Sequence, residues 1–158
     1  MRRVAVTGLG VISPVGNDVQ SFWNSLVEGR HGIGPITKFD TADFKVKIAA
    51  EVKDFDPLRY LDKSDLRRTD LFNQYAVAAS AQAMEDSGLE GHIDPERLGV
   101  YIGSGIGGLN TVSRELEKMM AGGPRRVSPF FVPMIISNMA AGTVAIRYHA
   151  MGPSLPVV

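Results

Sequence analysis

Four glycines fall within the six positions Gly103 to Gly108. They follow Val100, Tyr101 and Ile102, a short apolar run of the kind that forms a strand buried on both faces. Glycines at the end of such a strand let the backbone turn sharply and let another group approach it. The spacing Gly103-x-Gly105-x-x-Gly108 matches a dinucleotide fingerprint, which sets a pyrophosphate at a helix N-terminus. The acidic residue that would hold a ribose about twenty positions later is missing. Pro124, Arg125 and Arg126 stand there instead, and arginine would suit a 2′-phosphate. Gly8-x-Gly10 is a poorer match, because Ser13 and Pro14 follow it. Neither loop carries the Lys-Ser/Thr pair of a P-loop.

Other reactive patterns are incomplete. Ser104 lacks the first glycine of a Gly-x-Ser-x-Gly nucleophile elbow. His31, His92 and His149 are scattered and form no ligand-spaced set, so each reads as a surface or packing residue. The sequence has no cysteine, which excludes disulfides, thiolate metal sites and a cysteine nucleophile within these residues. Two basic clusters remain, Lys63 with Arg67 and Arg68, and Arg125 with Arg126. Either could be plain solvated surface. The second is presented by a loop of glycines and prolines beside Phe130 and Phe131, and arginine can hold a phosphate or carboxylate bidentately.

With 158 residues, 44% hydrophobic and 22% charged, the chain has the composition of one ordinary globular domain. Lys plus Arg equals Asp plus Glu, at 17 each, so there is no general attraction to nucleic acid or to a membrane. The first apolar run breaks at Gly8, too early for a signal peptide, and no run reaches the length of a membrane span. The lack of cysteine fits a cytoplasmic protein.

The elements that must position these residues read as α/β. Val4–Thr7 reads as a first buried strand. Asn17 is a good N-cap, with Gln20 placed to reach back, for a helix whose apolar stripe is Val19, Phe22, Trp23, Leu26 and Val27. Trp23 reads as core. Positions 31–56 are irregular, with one strand at Ile48–Val52. Positions 59–68 read as charged helical turns. Thr69 or Asp70 caps a long helix to Ser87, ended by Gly88. Its alanines predict close approach by another element. After the glycine loop, Leu109, Val112, Leu116, Met119 and Met120 recur at helical spacing. Pro133 suits the first position of a helix to about Tyr148. Ser154–Val158 starts an apolar strand and the sequence stops inside it, which reads as a fragment.

The ordered set of motifs resembles a known family. Val6-Thr-Gly-Leu-Gly-Val-Ile-Ser-Pro-Val-Gly16 is similar to the opening of the β-ketoacyl-acyl carrier protein synthases, the condensing enzymes of fatty-acid synthesis. Phe39-Asp40, Gln74-Tyr75, the Ile102–Gly108 loop and Gly122-Gly-Pro-Arg125 also match. So do Ser128-Pro-Phe-Phe-Val-Pro133, Asn138-Met139 and Gly152-Pro-Ser154. The likeness runs end to end and is greatest to the elongating, synthase II type.

The resemblance implies a thiolase-like layered αβαβα fold, of which residues 1–158 are the N-terminal part. It implies a cytoplasmic homodimer that uses no cofactor. In the family a cysteine takes an acyl chain from acyl carrier protein, and two histidines assist decarboxylation of malonyl-carrier protein. All three would lie beyond Val158, so no catalytic residue is present here. Ile106 matches the isoleucine that borders and gates the acyl pocket. Phe131 resembles an aromatic lining that pocket near the dimer contact. Arg67, Arg68, Arg125 and Arg126 resemble the basic patch that meets the carrier protein. Ser64 stands where some members have a basic residue. The residues taken alone leave two other readings. One is a non-catalytic α/β module binding a nucleotide or other phosphate-bearing ligand at Gly103–Gly108. The other is a partner-binding or structural fragment.

Overall fold

A computed structural model describes residues 3–158. Its centre is a long helix. We label the elements α1 (Val19–Val27), β1 (Ile33–Pro35), β2 (Ile48–Ala50), α2 (Lys63–Leu66), α3 (Leu71–Ser87), β3 (Val100–Gly103), α4 (Leu109–Gly122), α5 (Phe131–Ile135), α6 (Met139–Arg147) and β4 (Ser154–Val157). Short 3₁₀ turns sit at Pro57–Arg59, Pro95–Arg97 and Pro124–Arg126. Each opens on a proline, whose fixed φ and missing N–H suit a first helical position.

Asp70 caps α3 and Gly88, at φ 60°, ends it, as the sequence predicts. Val77 is buried against Ala141, Val144 and Ala145 of α6, with Leu61 and Val100 completing that cluster, and Ala78 beside it on α3 is buried as well. Small residues on both helices allow the approach. The opposite side of α3 receives the chain at Gly8–Val11. Leu9 N–H donates to Asp86 Oδ2 at 2.9 Å and Val11 N–H to Gln82 Oε1 at 3.0 Å. A Cβ added at Gly10 would lie 1.9 Å from the Ala79 carbonyl oxygen, and one at Gly8 would lie 2.2 Å from that of Ala83. The alanines therefore do admit a second backbone. Gly10→Ala should lower stability by about 2 kcal/mol or more, because neither backbone can move aside without breaking packing. Gly34→Ala, where nothing lies within 4 Å, serves as the control. A urea midpoint in the Gly10 variant as high as in the Gly34 variant, both made in a longer protein that carries this chain, would refute this contact.

β3 and β4 pair in parallel, with Val100 opposite Ser154 and Gly103 opposite Val157. The connection between them contains α4, α5 and α6, the crossover that parallel pairing requires. β1 and β2 form a separate antiparallel pair, Ile33 opposite Ala50 and Pro35 opposite Ile48. Gly34 and Pro35 hide β1 from a propensity reading.

Several expectations are corrected. Val4–Thr7 is not a strand. It has no ladder partner among the described residues, and Val4 is 94% exposed. The N-cap of α1 is Asp18, whose side chain accepts from Ser21 N–H at 2.7 Å. Asn17 is occupied elsewhere, donating to the Lys53 carbonyl at 2.7 Å. Gln20 bonds Asn24 Oδ1 at 2.8 Å and does not reach back to the cap. Trp23 is 60% exposed and lies outside the core of this chain. The apolar stripe of α4 also faces outward, while Thr111 and Glu115 are buried. Polar partners draw that face inward, as described below. The helix expected from Pro133 to Tyr148 is two helices. Pro133 lies in the first turn of α5, and Ile136 then adopts an extended ψ of 134°. The Ile135 carbonyl accepts Gly108 N–H at 3.0 Å, and Met139 N–H goes to the Ile136 carbonyl at 3.2 Å. The continuous ladder is thereby broken.

Candidate acyl groove and basic surface

The glycine loop leaves β3 and opens α4. Its start is held to β4, with Ser104 N–H donating to the Val157 carbonyl at 3.0 Å. Ser104 Oγ then accepts Gly107 N–H at 3.2 Å. At the far end the loop meets the end of α5. A Cβ at Gly107 would lie 2.1 Å from the Ile135 carbonyl oxygen, and one at Gly108 would lie 2.1 Å from that of Met134. Gly107 also has φ +80°, a conformation that favours glycine. The glycines thus serve contact with protein backbone. The N–H groups a phosphate would need at Gly107, Gly108 and Thr111 are spent on Ser104, Ile135 and Asp70. The buried Asp70 carboxylate already stands at that helix N-terminus and would repel an anion. This geometry argues against the nucleotide reading.

The loop instead projects Ile106, which is 71% exposed, onto the lip of an open groove of about 720 Å³. Ile135 and Ile136 from the end of α5, Met139 and Gly142 from α6, and Leu155 and Pro156 from β4 line the rest. The wall is mostly apolar and comes from three elements brought together by the crossover. The sequence indicated Ile106 but missed these other walls. Only the Asn138-Met139 motif signalled them, because the residues are far apart along the chain. Phe131 begins α5, one turn away, half-buried and outside the groove lining.

The four arginines fall on two connected segments. Arg67 and Arg68 follow α2, which Asp62 caps by accepting Ser64 and Asp65 N–H at 2.7 and 2.8 Å. Those bonds, the Asp65 N–H first, hold the Asp62 carboxyl below its usual range. Arg125 and Arg126 lie in the 3₁₀ turn after α4. Arg68 stacks over the Phe130 ring at 5.1 Å, tying the first segment to the loop that carries the second. All four are exposed, and among the described residues none is ion-paired.

Glu115 anchors that second segment. It is 2% exposed and accepts Ser128 N–H and Lys118 Nζ, both at 2.7 Å. The Lys118 ammonium, followed by the Ser128 N–H, holds its carboxyl below the usual range. A buried, doubly bonded carboxylate fixes the loop with charge-assisted bonds. Its signal in the sequence is faint, since one acidic residue in a charged helix reads as surface.

Residues 1–158 match the family model described as "Beta-ketoacyl synthase, N-terminal domain". The chain belongs to the β-ketoacyl synthase family. It is 49% identical over 158 residues to the "3-oxoacyl-[acyl-carrier-protein] synthase 2" of Coxiella burnetii, covering 99% of this chain and 38% of the relative. It is 49% identical over 157 residues to the protein of the same name from Vibrio harveyi, again covering 38% of that relative. The chain therefore spans about two fifths of the length of the curated relatives it matches. Among solved structures, "The ishigamide ketosynthase/chain length factor" superposes with a TM-score of 0.89 at 34% identity, over 99% of this chain and 40% of that one. A ketosynthase solved in complex with its type II polyketide acyl-carrier protein gives 0.73 at 25% identity, over 92% of this chain and 39% of that one. The α/β fold of this β-ketoacyl synthase domain is thus that of the N-terminal part of thiolase-like ketosynthases.

Proposed function

We propose that this chain is the N-terminal domain of a 3-oxoacyl-[acyl-carrier-protein] synthase of the elongating type. The observation that carries the reading is the 49% identity, across 99% of the chain, to a protein of that name. In the proposed reaction an acyl group passes from a carrier thioester to a cysteine thiol outside residues 1–158. Malonyl-carrier protein then loses CO₂, and the resulting carbanion attacks the acyl thioester. A carbon–carbon bond forms and the cysteine leaves as thiolate.

The role of this domain is to shape the acyl site and the docking face. The apolar groove beside Ile106 supports the first part, with Ile106 as its gate. Phe131, outside the groove lining of this chain, would line the pocket only where a homodimer contact extends it. The synthase acts in the cytoplasm and uses no cofactor. A full-length synthase carrying this chain, given acyl- and malonyl-carrier protein, should release CO₂ and form a β-ketoacyl product. Absence of product with both substrates would overturn the reading.

Acyl carrier protein docks on Arg67, Arg68, Arg125 and Arg126 in this reading. Their exposure supports it, as do the lack of an ion pair to any of them among the described residues and the ketosynthase solved with its carrier protein. Because the chain is neutral overall, local clusters must supply the attraction. Reversing Arg125 and Arg126 to Glu should slow association about tenfold at low salt and flatten its salt dependence, since rim charges act chiefly on encounter. An unchanged on-rate in stopped-flow at low ionic strength would sink the assignment.

A further inference from the structure

The Ile106 loop is fixed at one end by β4 and at the other by Asp70, the residue that also caps α3. Asp70 is 4% exposed, yet it makes no ion pair among the described residues. Its Oδ2 accepts Thr111 N–H at 2.7 Å, and its Oδ1 accepts Phe72 N–H at 3.4 Å. Phe72 is in the first turn of α3 and Thr111 in the first turn of α4. One carboxylate therefore caps two helices. α4 needs this, because its own N-cap is Gly108, which has no side chain to offer. A buried carboxylate is also favoured where two helix N-termini meet.

The same residue crowds the glycine loop. A Cβ at Gly108 would lie 3.0 Å from Asp70 Cβ, while on its other side Gly108 N–H is bound to the Ile135 carbonyl. Gly108 is thus clamped between Asp70 and the end of α5, two residues after Ile106. We infer that Asp70 is a positioning residue for the Gly103–Gly108 loop, holding Ile106 at the mouth of the groove through its bond to Thr111. The functional part of this inference rests on the acyl-gate reading of Ile106.

The two caps can be separated. Serine at position 70 is a good N-cap for α3, but its side chain is too short to hold Thr111 N–H as well. Asp70→Ser should therefore spare α3 and release the loop. Asp70→Asn is the second variant. It keeps the shape, but its amide has one acceptor oxygen for two N–H donors. Both are made in a full-length synthase carrying this chain. The expected result is amide hydrogen exchange about tenfold faster at Gly108 and Thr111, with protection at Val77 and Ala78 retained, because one buried bond is lost locally. The ratio of long-chain to short-chain acylation rates should shift about fivefold, which a uniform structural loss would not produce. Unchanged exchange at Gly108 and Thr111 overturns the inference. So does faster exchange with an unchanged ratio, where Ile106→Phe in parallel does shift it. If Ile106→Phe also leaves the ratio unchanged, the gate reading has failed, and exchange alone decides whether Asp70 fixes the loop.

Discussion

In a full-length synthase carrying this chain, Ile106→Phe should cut acylation by long acyl chains about 100-fold and leave short chains nearly unaffected. Ile106 is an apolar side chain on a loop otherwise built of glycine and one serine, and it is mostly exposed. Packing within this chain gives no reason for it. Its position on the lip of the apolar groove does. A phenyl ring there would fill the mouth, and the glycine loop cannot retreat. Gly107 and Gly108 already touch the α5 backbone, and Ser104 is tied to β4. A short acyl chain would end before the obstruction. The measurement is single-turnover acylation with a series of acyl-carrier thioesters. Equal rates across the series, in a variant that folds, would remove Ile106 from the gate.

Much of this arrangement was legible in the sequence where local signals agree. α3 had a capping aspartate, a terminal glycine and no internal breaker, and its bounds came out at Leu71–Ser87. The strand, glycine loop and helix at 100–122 form where the sequence predicts them because each carries its own signal, but β3 is not buried on both faces of this chain: Tyr101 is 60% exposed. The glycines were ambiguous. Their spacing fits both a phosphate cradle and close contact with protein, and only the Ile135 and Met134 carbonyls resolve it. Asp70 was legible as a cap for α3, but its second bond spans 41 positions and leaves no local trace.

The errors about burial share one cause. An apolar stripe shows that a face should be covered but not what covers it. Leu109, Val112, Leu116, Met119 and Met120 recur at helical spacing in α4, yet the helix turns Thr111 and Glu115 inward, where Asp70 and Ser128 bond. Trp23 follows the same logic, as do Val4 and Val6. The two basic clusters are visible in the residues alone, but only the resemblance joins them into one surface and gives Ile106 a groove. No spacing rule connects Ile106 with Pro156, or Arg68 with Phe130.

These outward apolar faces lead to the last expected result. Residues 1–158 expressed alone should form no β-ketoacyl product and should not be a stable monomer. Covalent acyl transfer needs a nucleophile with a partnered base. The sequence has no thiol, and His31, His92 and His149 are all exposed, with no ring hydrogen bond among the described residues. The stability argument is separate. Among the described residues β3 and β4 form a sheet of two strands, each without a partner on its other edge, and Tyr101, Leu155 and Val157 lie exposed on it. Trp23 and Val27 on α1 and Leu116 and Met120 on α4 add further apolar surface. Among the described residues the buried hydrophobic core has nine members, four of them alanine, which is little apolar area to offset chain entropy. Unpaired strand edges beside such surface favour association. Size-exclusion chromatography, urea unfolding and a condensation assay on the isolated 158 residues test both halves. A monomer that unfolds cooperatively would refute the stability half, and product formation would refute the catalytic half.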